Sequence, residues 1–130
     1  MRGKGQVEER MIVMIRDFTD LVIWQKAIVA GRQVYDLTKH FPRDERFALT
    51  SQIRRAAVSI SSNIAEGHAR QGNEFPYFIS VAKGSLAETE SQLLFASSIG
   101  YLRDEDVTAY RMLASEIHRM GTSLIEKLKA

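Results

Sequence analysis

Arg111 and His118 stand seven residues apart, so on a helix they share one face two turns apart. A guanidinium that holds a phosphate and an imidazole that moves a proton would together suit metal-independent cleavage of RNA. The other histidine patterns fail on spacing. Glu66-Gly67-His68 and Glu116-Ile117-His118 are one residue short of the Glu-x-x-His that a di-metal bundle needs on two of its helices. No Gly-x-x-x-x-Gly-Lys-Ser/Thr loop, His-Glu-x-x-His or Gly-x-Ser-x-Gly occurs. The chain has no cysteine, which excludes disulfides, thiolate nucleophiles, thiolate zinc sites and iron–sulfur clusters and makes a reducing cytoplasm the natural compartment. The expectation is a protein that is not an enzyme and carries no cofactor and no metal, with Arg111 and His118 solvated beside Glu116 and Arg119.

Binding chemistry is better represented. Lys and Arg number 18 against 16 Asp and Glu, a formal charge of +2, and the pI is about 9.0. So mild an excess says little by itself, and the placement of the cations matters more. Lys39, His40, Arg43 and Arg46 cluster in one stretch, and His68 and Arg70 in another. If a helix separates the two stretches, they lie at opposite ends of one subunit. Copies of either could then form a basic collar around the rim of a ring and engage phosphates without reading sequence. Arg54 and Arg55 are adjacent, and neighbours on a helix point about 100° apart, so only one can face a given partner helix. A binding surface would be built on Arg54, Arg55 and Lys83, with Arg54 the better candidate of the adjacent pair. The expected nucleic-acid contacts are Arg43, Arg46, Arg54, His68, Arg70 and Lys83.

The elements that must position these groups are helices. Apolar residues recur at three and four positions in four blocks, with no β-branched alternation. Block one, about 20–40, carries the stripe Leu21, Trp24, Ile28, Gly31, Tyr35 and Thr38, capped by Thr19 or Asp20 and stopped by Phe41-Pro42. Block two, about 44–70, carries Leu49, Ile53, Ala56, Ala57, Ile60 and Ile64, with Asp44 as N-cap and Gly67 and Gly72 at its exit. Block three, about 73–99, carries Phe75, Phe78, Ile79, Ala82, Leu86, Leu93 and Ala96, with Asn73 as cap, Pro76 in the first turn and Gly100 past the end. Block four, about 104–129, carries Val107, Tyr110, Leu113, Ala114, Ile117, Gly121, Leu124 and Leu128. Gly31, Gly84 and Gly121 fall mid-helix and suggest close backbone approaches.

Short connections between four similar helices imply an all-α, antiparallel up-and-down four-helix bundle over residues 18–130, with residues 1–17 as a flexible N-terminal tail. The apolar stretch Met11 to Ile15 is too short for a secretory core and no segment suits a membrane span, so the chain is read as cytoplasmic. In an antiparallel hairpin of blocks two and three, residues whose numbers sum to roughly 144 lie at the same height. That sets Arg55 opposite Glu88 or Thr89, Ser59 opposite Ser85, and Asn63 opposite Val81. The expected structural polar cluster is Arg55, Asn63, Glu66, Ser85 and Glu88. It contains an Arg55–Glu88 ion pair, a seam of small residues at Ser59, Ser62, Gly84 and Ser85, and Asn63 and Glu66 bonding to loop backbone near Gly67.

The stretch Leu49-Thr50-Ser51-Gln52-Ile53-Arg54-Arg55-Ala56-Ala57-Val58-Ser59-Ile60-Ser61-Ser62-Asn63-Ile64-Ala65-Glu66-Gly67 resembles the signature of the four-helix-bundle proteins encoded in intervening sequences of bacterial 23S ribosomal RNA genes. Asp20 to Ala27, Ala82 to Glu88 and Ile99 to Leu102 fit the same family, so the resemblance covers about residues 18–129. Ser61 stands where the family usually has proline, and Pro76 is also a departure. The resemblance implies a left-handed bundle assembled as a ring-like homo-oligomer, a pentamer. Its relatives include the accessory variability-determinant proteins of diversity-generating retroelements, which bind nucleic acid and a reverse transcriptase; that particular role is not carried over. The resulting expectation is a non-enzymatic scaffold or adaptor whose partners are copies of itself and RNA or DNA. The alternatives are a protein-interaction module, or a ribonuclease similar to those of the HEPN type, which space an Arg and a His on a helix much as Arg111 and His118 are spaced.

Overall fold

The computed structural model describes residues 15–70 and 72–129. Four helices carry the fold: α1 (Val22–Thr38), α2 (Leu49–Arg70), α3 (Glu74–Ser98) and α4 (Asp104–Lys129). There is no strand among the described residues. Each helix packs against its neighbour in sequence, and α4 closes against α1. The result is an antiparallel up-and-down bundle around one apolar core. Of the expected tail, residues 1–14 lie outside the described residues. Ile15 packs against the core, and Asp17 accepts from the Thr19 backbone N–H to start a short 3-10 turn, Phe18–Asp20. That hydrogen bond holds the Asp17 carboxyl below its ordinary value.

Three helix starts differ from expectation. Leu21 precedes α1 without a side-chain cap, because the polar cap is used one turn earlier, at Asp17. Asp44 does not cap α2. It lies in a second 3-10 turn, Arg43–Glu45, and the α-helix begins only at Leu49. The reason is tertiary: Phe41 packs its ring on Tyr101 at 5.4 Å, and the Tyr101 hydroxyl donates to Glu45 at 2.8 Å, which pins the connection across the bundle end. Asn73 precedes α3 in helical conformation with no side-chain cap.

The buried face of α1 also differs. Ile23, Ala27, Ala30, Val34 and Thr38 face the core; Trp24, Ile28 and Gly31 are half-buried, and Tyr35 lies outside. Two apolar stripes compete on this helix. The one holding Ala27 and Ala30 wins because small side chains let the helix axes approach. The stripes of α2 and α3 face inward largely as expected, and in α4 Tyr110 is fully buried and donates to the Leu86 carbonyl at 3.0 Å. Burial pushes its hydroxyl far above the usual phenol range.

Gly67 does not mark an exit, since α2 runs on to Arg70. A Cβ there would meet the Phe78 Cβ at 2.8 Å and the Phe75 ring at 3.2 Å, so this glycine sets how closely α2 and α3 approach. Gly121 plays a milder version of that role against Lys83, whereas Gly31 and Gly84 have no neighbour within 4 Å of a would-be Cβ. Gly100, at φ +88°, ends α3 in a Schellman motif: Tyr101 N–H donates to Ala96 and Gly100 N–H to Ser97.

Candidate nucleic-acid interface

The outward turn of Tyr35 has a consequence on α2. Arg54 reaches across to α1, donating from Nε to Thr38 Oγ1 at 2.9 Å and from Nη2 to the Tyr35 carbonyl at 3.4 Å. Its guanidinium lies 4.4 Å from the Tyr35 ring centroid. Thr38 is held in turn by its own hydrogen bond to the Val34 carbonyl at 2.8 Å. A cation thus sits fixed on an aromatic face at the mouth of a groove of about 480 Å³ between α1 and α2. The groove is lined by Tyr35, Arg46, Phe47, Thr50, Ser51, Arg54, Arg55 and Val58.

Two properties set this groove apart. Its lining holds three arginines and no carboxylate. The partners of those arginines are neutral: Arg54 uses a hydroxyl and a carbonyl, Arg55 donates to Ser51 Oγ at 3.0 Å, and Arg46 lies 5.1 Å from the Phe47 ring. Their positive charge is therefore uncompensated within the groove. The second property is the exposed aromatic. Phe47 is 87% exposed and Tyr35 45%, a large apolar area to leave in water without a partner. Arginines beside exposed rings are the combination that holds a strand by its phosphates while bases stack.

The other expected contacts separate. Arg43 is exposed in the turn preceding Arg46 and extends this patch toward the bundle end. His68 is a correction: it is 4% exposed and packs edge-on against Phe75 at 5.8 Å, because the C-terminal turn of α2 is covered by α3. Arg70 pairs with Glu74 at 3.2 Å and lies over the Phe78 ring. Lys83 is on the other side of the molecule, donating to Thr122 Oγ1 at 2.8 Å. A basic collar at the His68 end therefore has few free cations, and the charge concentrates at the Arg43–Arg46 end and along α2.

The polar cluster forms in part. Ser59 and Ser85 share a hydrogen bond of 3.0 Å, at the height the hairpin register requires. Asn63 turns back to Ser59, donating to its carbonyl at 2.7 Å and its hydroxyl at 2.9 Å, and does not reach the loop near Gly67. Glu66 is exposed. The Arg55–Glu88 ion pair is absent. Both line one groove, but Arg55 is drawn one turn back along α2 to Ser51.

A larger groove, about 820 Å³, runs between α3 and α4 and contains Lys83, Glu90, Arg111, Met112, His118 and Arg119. Arg111 donates to Glu90 at 3.3 Å, and Arg119 to Ser115 at 2.9 Å. Arg111 and His118 thus share a groove, though Arg111 is already engaged by a carboxylate. Among the described residues no group of three or more His, Asp or Glu could hold a metal ion. No helix among them is long and apolar enough to cross a membrane.

Sequence reasoning did not place Tyr35 or Phe47 in this groove, and of the binding surface Arg54, Arg55 and Lys83 it preferred Arg54 to Arg55. The Arg46-Phe47 pair in a connection was the available signal; the exposure of Tyr35 had none, since it depends on which stripe of α1 is buried.

Residues 19–123 match the family described as 23S rRNA-intervening sequence protein. A solved structure from Bacteroides thetaiotaomicron, described as a protein with unknown function from the S23 ribosomal protein family, is 24% identical. It superposes with a TM-score of 0.72 over 80% of this chain and 98% of its own. At that identity it shows a shared fold. No curated protein matches.

Proposed function

The chain belongs to the 23S rRNA-intervening sequence protein family, and from that premise we propose that it is a non-catalytic, self-associating bundle that holds single-stranded RNA or DNA along the α1/α2 groove. The observation that carries this reading is the trio Arg46, Arg54 and Arg55, uncompensated by any carboxylate in the groove and set beside exposed Phe47 and Tyr35. Phosphates would replace the counterions of the guanidiniums, and bases would stack on the rings. Such contacts bind strands without reading their sequence.

Self-association is supported by the outer side of α3. Tyr77, Gly84 and Phe95 are exposed along one line there, with Ile99 just past the helix end, so large apolar groups lie outside the core face. Exposed large apolar side chains aligned on a helix are a surface that a partner can cover. A ring of identical copies, five by family resemblance, would use that side and repeat the groove around itself, so that one strand engages several grooves at once.

Native mass measurement with absorbance at 260 nm, followed by titration with a single-stranded 20-mer and the same sequence as a duplex, tests both parts. The expected outcome is an assembly several times the 14.7 kDa chain that prefers the single strand and loses affinity steeply with salt. A monomer that retains neither strand at low salt overturns the reading.

Arg111 and His118 in the α3/α4 groove favour a second reading, metal-independent RNA cleavage. It requires that His118→Ala abolish cleavage seen with the parent protein in the presence of a chelator; equal cleavage by both removes it.

A further inference from the structure

On the opposite side of α2 from Arg54, a smaller groove of about 300 Å³ lies between α2 and α3, lined by Gln52, Arg55, Ala56, Ser59, Glu88 and Gln92. Its size is at the lower end of small-ligand sites. Arg55 lines this groove and the α1/α2 groove alike, so its side chain borders both.

Part of the hydrogen-bonding capacity in this groove is unspent. Gln92 Oε1 is buried without a partner, so an outside donor reaches it only when the side chain turns toward the groove. Glu88 and Arg55 face the same space yet stand too far apart to pair, because Arg55 bonds to Ser51. The Ser59 hydroxyl is already committed to Ser85 and Asn63. A ligand entering here meets a carboxylate acceptor from Glu88 and guanidinium donors from Arg55, with the Gln92 side chain in the lining.

We infer that this groove takes one unstacked guanine base from the strand held by Arg46 and Arg54, which gives the binding a sequence preference; the inference rests on the strand-binding reading above. Guanine presents two adjacent donors, N1–H and the N2 amino group, that suit a carboxylate, and two acceptors, O6 and N7, that suit an arginine. Adenine would set its N1 lone pair against Glu88. Uracil flanks its one N–H with two carbonyls, and cytosine places a ring acceptor beside its amino group. Each of these sets an acceptor against the carboxylate where guanine offers a donor.

The test uses the full-length protein and uridine 12-mers that carry one central guanosine, inosine, adenosine or cytidine. The expected result is about 10-fold tighter binding of the guanosine strand. The inosine strand, which lacks the N2 amino group, should lose most of that gain. Glu88→Gln should bring the guanosine strand down to the level of plain oligouridine, whose own affinity should not change. Gln92→Met should narrow the preference as an independent check. Equal binding of all four strands by the parent protein overturns the guanine site and leaves strand binding standing. A guanine preference that survives Glu88→Gln overturns its assignment to this groove. If no strand binds, both readings fall together.

Discussion

The α1/α2 groove and the α3/α4 groove lie on opposite sides of the bundle and carry similar numbers of basic side chains. Arg46, Arg54 and Arg55 line the first; Lys83, Arg111, His118 and Arg119 line the second. The second is the larger, about 820 Å³ against about 480 Å³. They differ in what surrounds the charge. Glu90 engages Arg111, and on the other side of α4 Glu116 pairs with Lys26 at 2.8 Å, while the first groove has no carboxylate in its lining. The first also exposes aromatic rings, where the second exposes the thioether of Met112. Neither the number of cations nor the room they enclose makes a polyanion site; cations left uncompensated beside a stacking surface do.

Replacing Arg46, Arg54 and Arg55 together by alanine should have the largest effect on that comparison. On a strand without guanine, where all three arginines face phosphates, the lost contacts flatten the log–log salt dependence of single-strand binding by about 2 and weaken binding on the order of 100-fold at low salt. The matching triple, Lys83, Arg111 and Arg119 to alanine, should stay within about 3-fold. Salt titrations of both variants check this, and a reversed order inverts the comparison.

Phe47→Ala should remove a stacking platform worth about 1–3 kcal/mol per base, about 5-fold to 150-fold in affinity. With the ring 87% exposed, the thermal midpoint should stay put. Met112→Ala, at an exposed site in the other groove, should leave binding unchanged; a parallel loss in the two variants would remove the distinction between the grooves.

The spacing of the two grooves depends on how closely α2 approaches α3. Gly67→Ala puts a methyl 2.8 Å from the Phe78 Cβ and should destabilise the fold by about 1–3 kcal/mol. Gly84→Ala meets nothing within the subunit and should stabilise it by up to about 1 kcal/mol. Chemical denaturation reads both. Should Gly84→Ala also weaken the assembly, copies do pack on that side of α3.

The smallest effect is electrostatic and belongs to the α3/α4 side. The Asp106 carboxyl is held below its ordinary value by hydrogen bonds from the Arg103 side chain and backbone N–H at the start of α4. A carboxylate with a lowered folded-state value contributes stability at neutral pH. That contribution fades as pH falls through the ordinary carboxylate range and is gone below the folded-state value. Asp106→Asn should therefore flatten the acid limb of the stability profile and leave strand binding by the α1/α2 groove untouched.

Much of the frame was legible in the chain. The inward stripes of α2 and α4 followed from helical periodicity, and the Ser59–Ser85 contact from hairpin register alone. The site was less legible. Arg54 and Arg55 were assigned by angle, but their partners Thr38, Tyr35 and Ser51 could not be read from spacing, because a long side chain chooses among several acceptors within reach. His68 was placed with the cations by residue type and then buried by α3.

Periodicity, helix breakers and the lack of cysteine determined by themselves that this is an all-α bundle of four helices without thiol chemistry, since those properties depend on local backbone preference and on which residues must leave water. Tertiary packing alone decided which of two apolar stripes on α1 went inside. That choice turned Tyr35 outward beneath Arg54 and left the α2 arginines with neutral partners. Burial of a face is settled by the volumes of the side chains that meet across a helix interface, and those meetings are not written along any one helix.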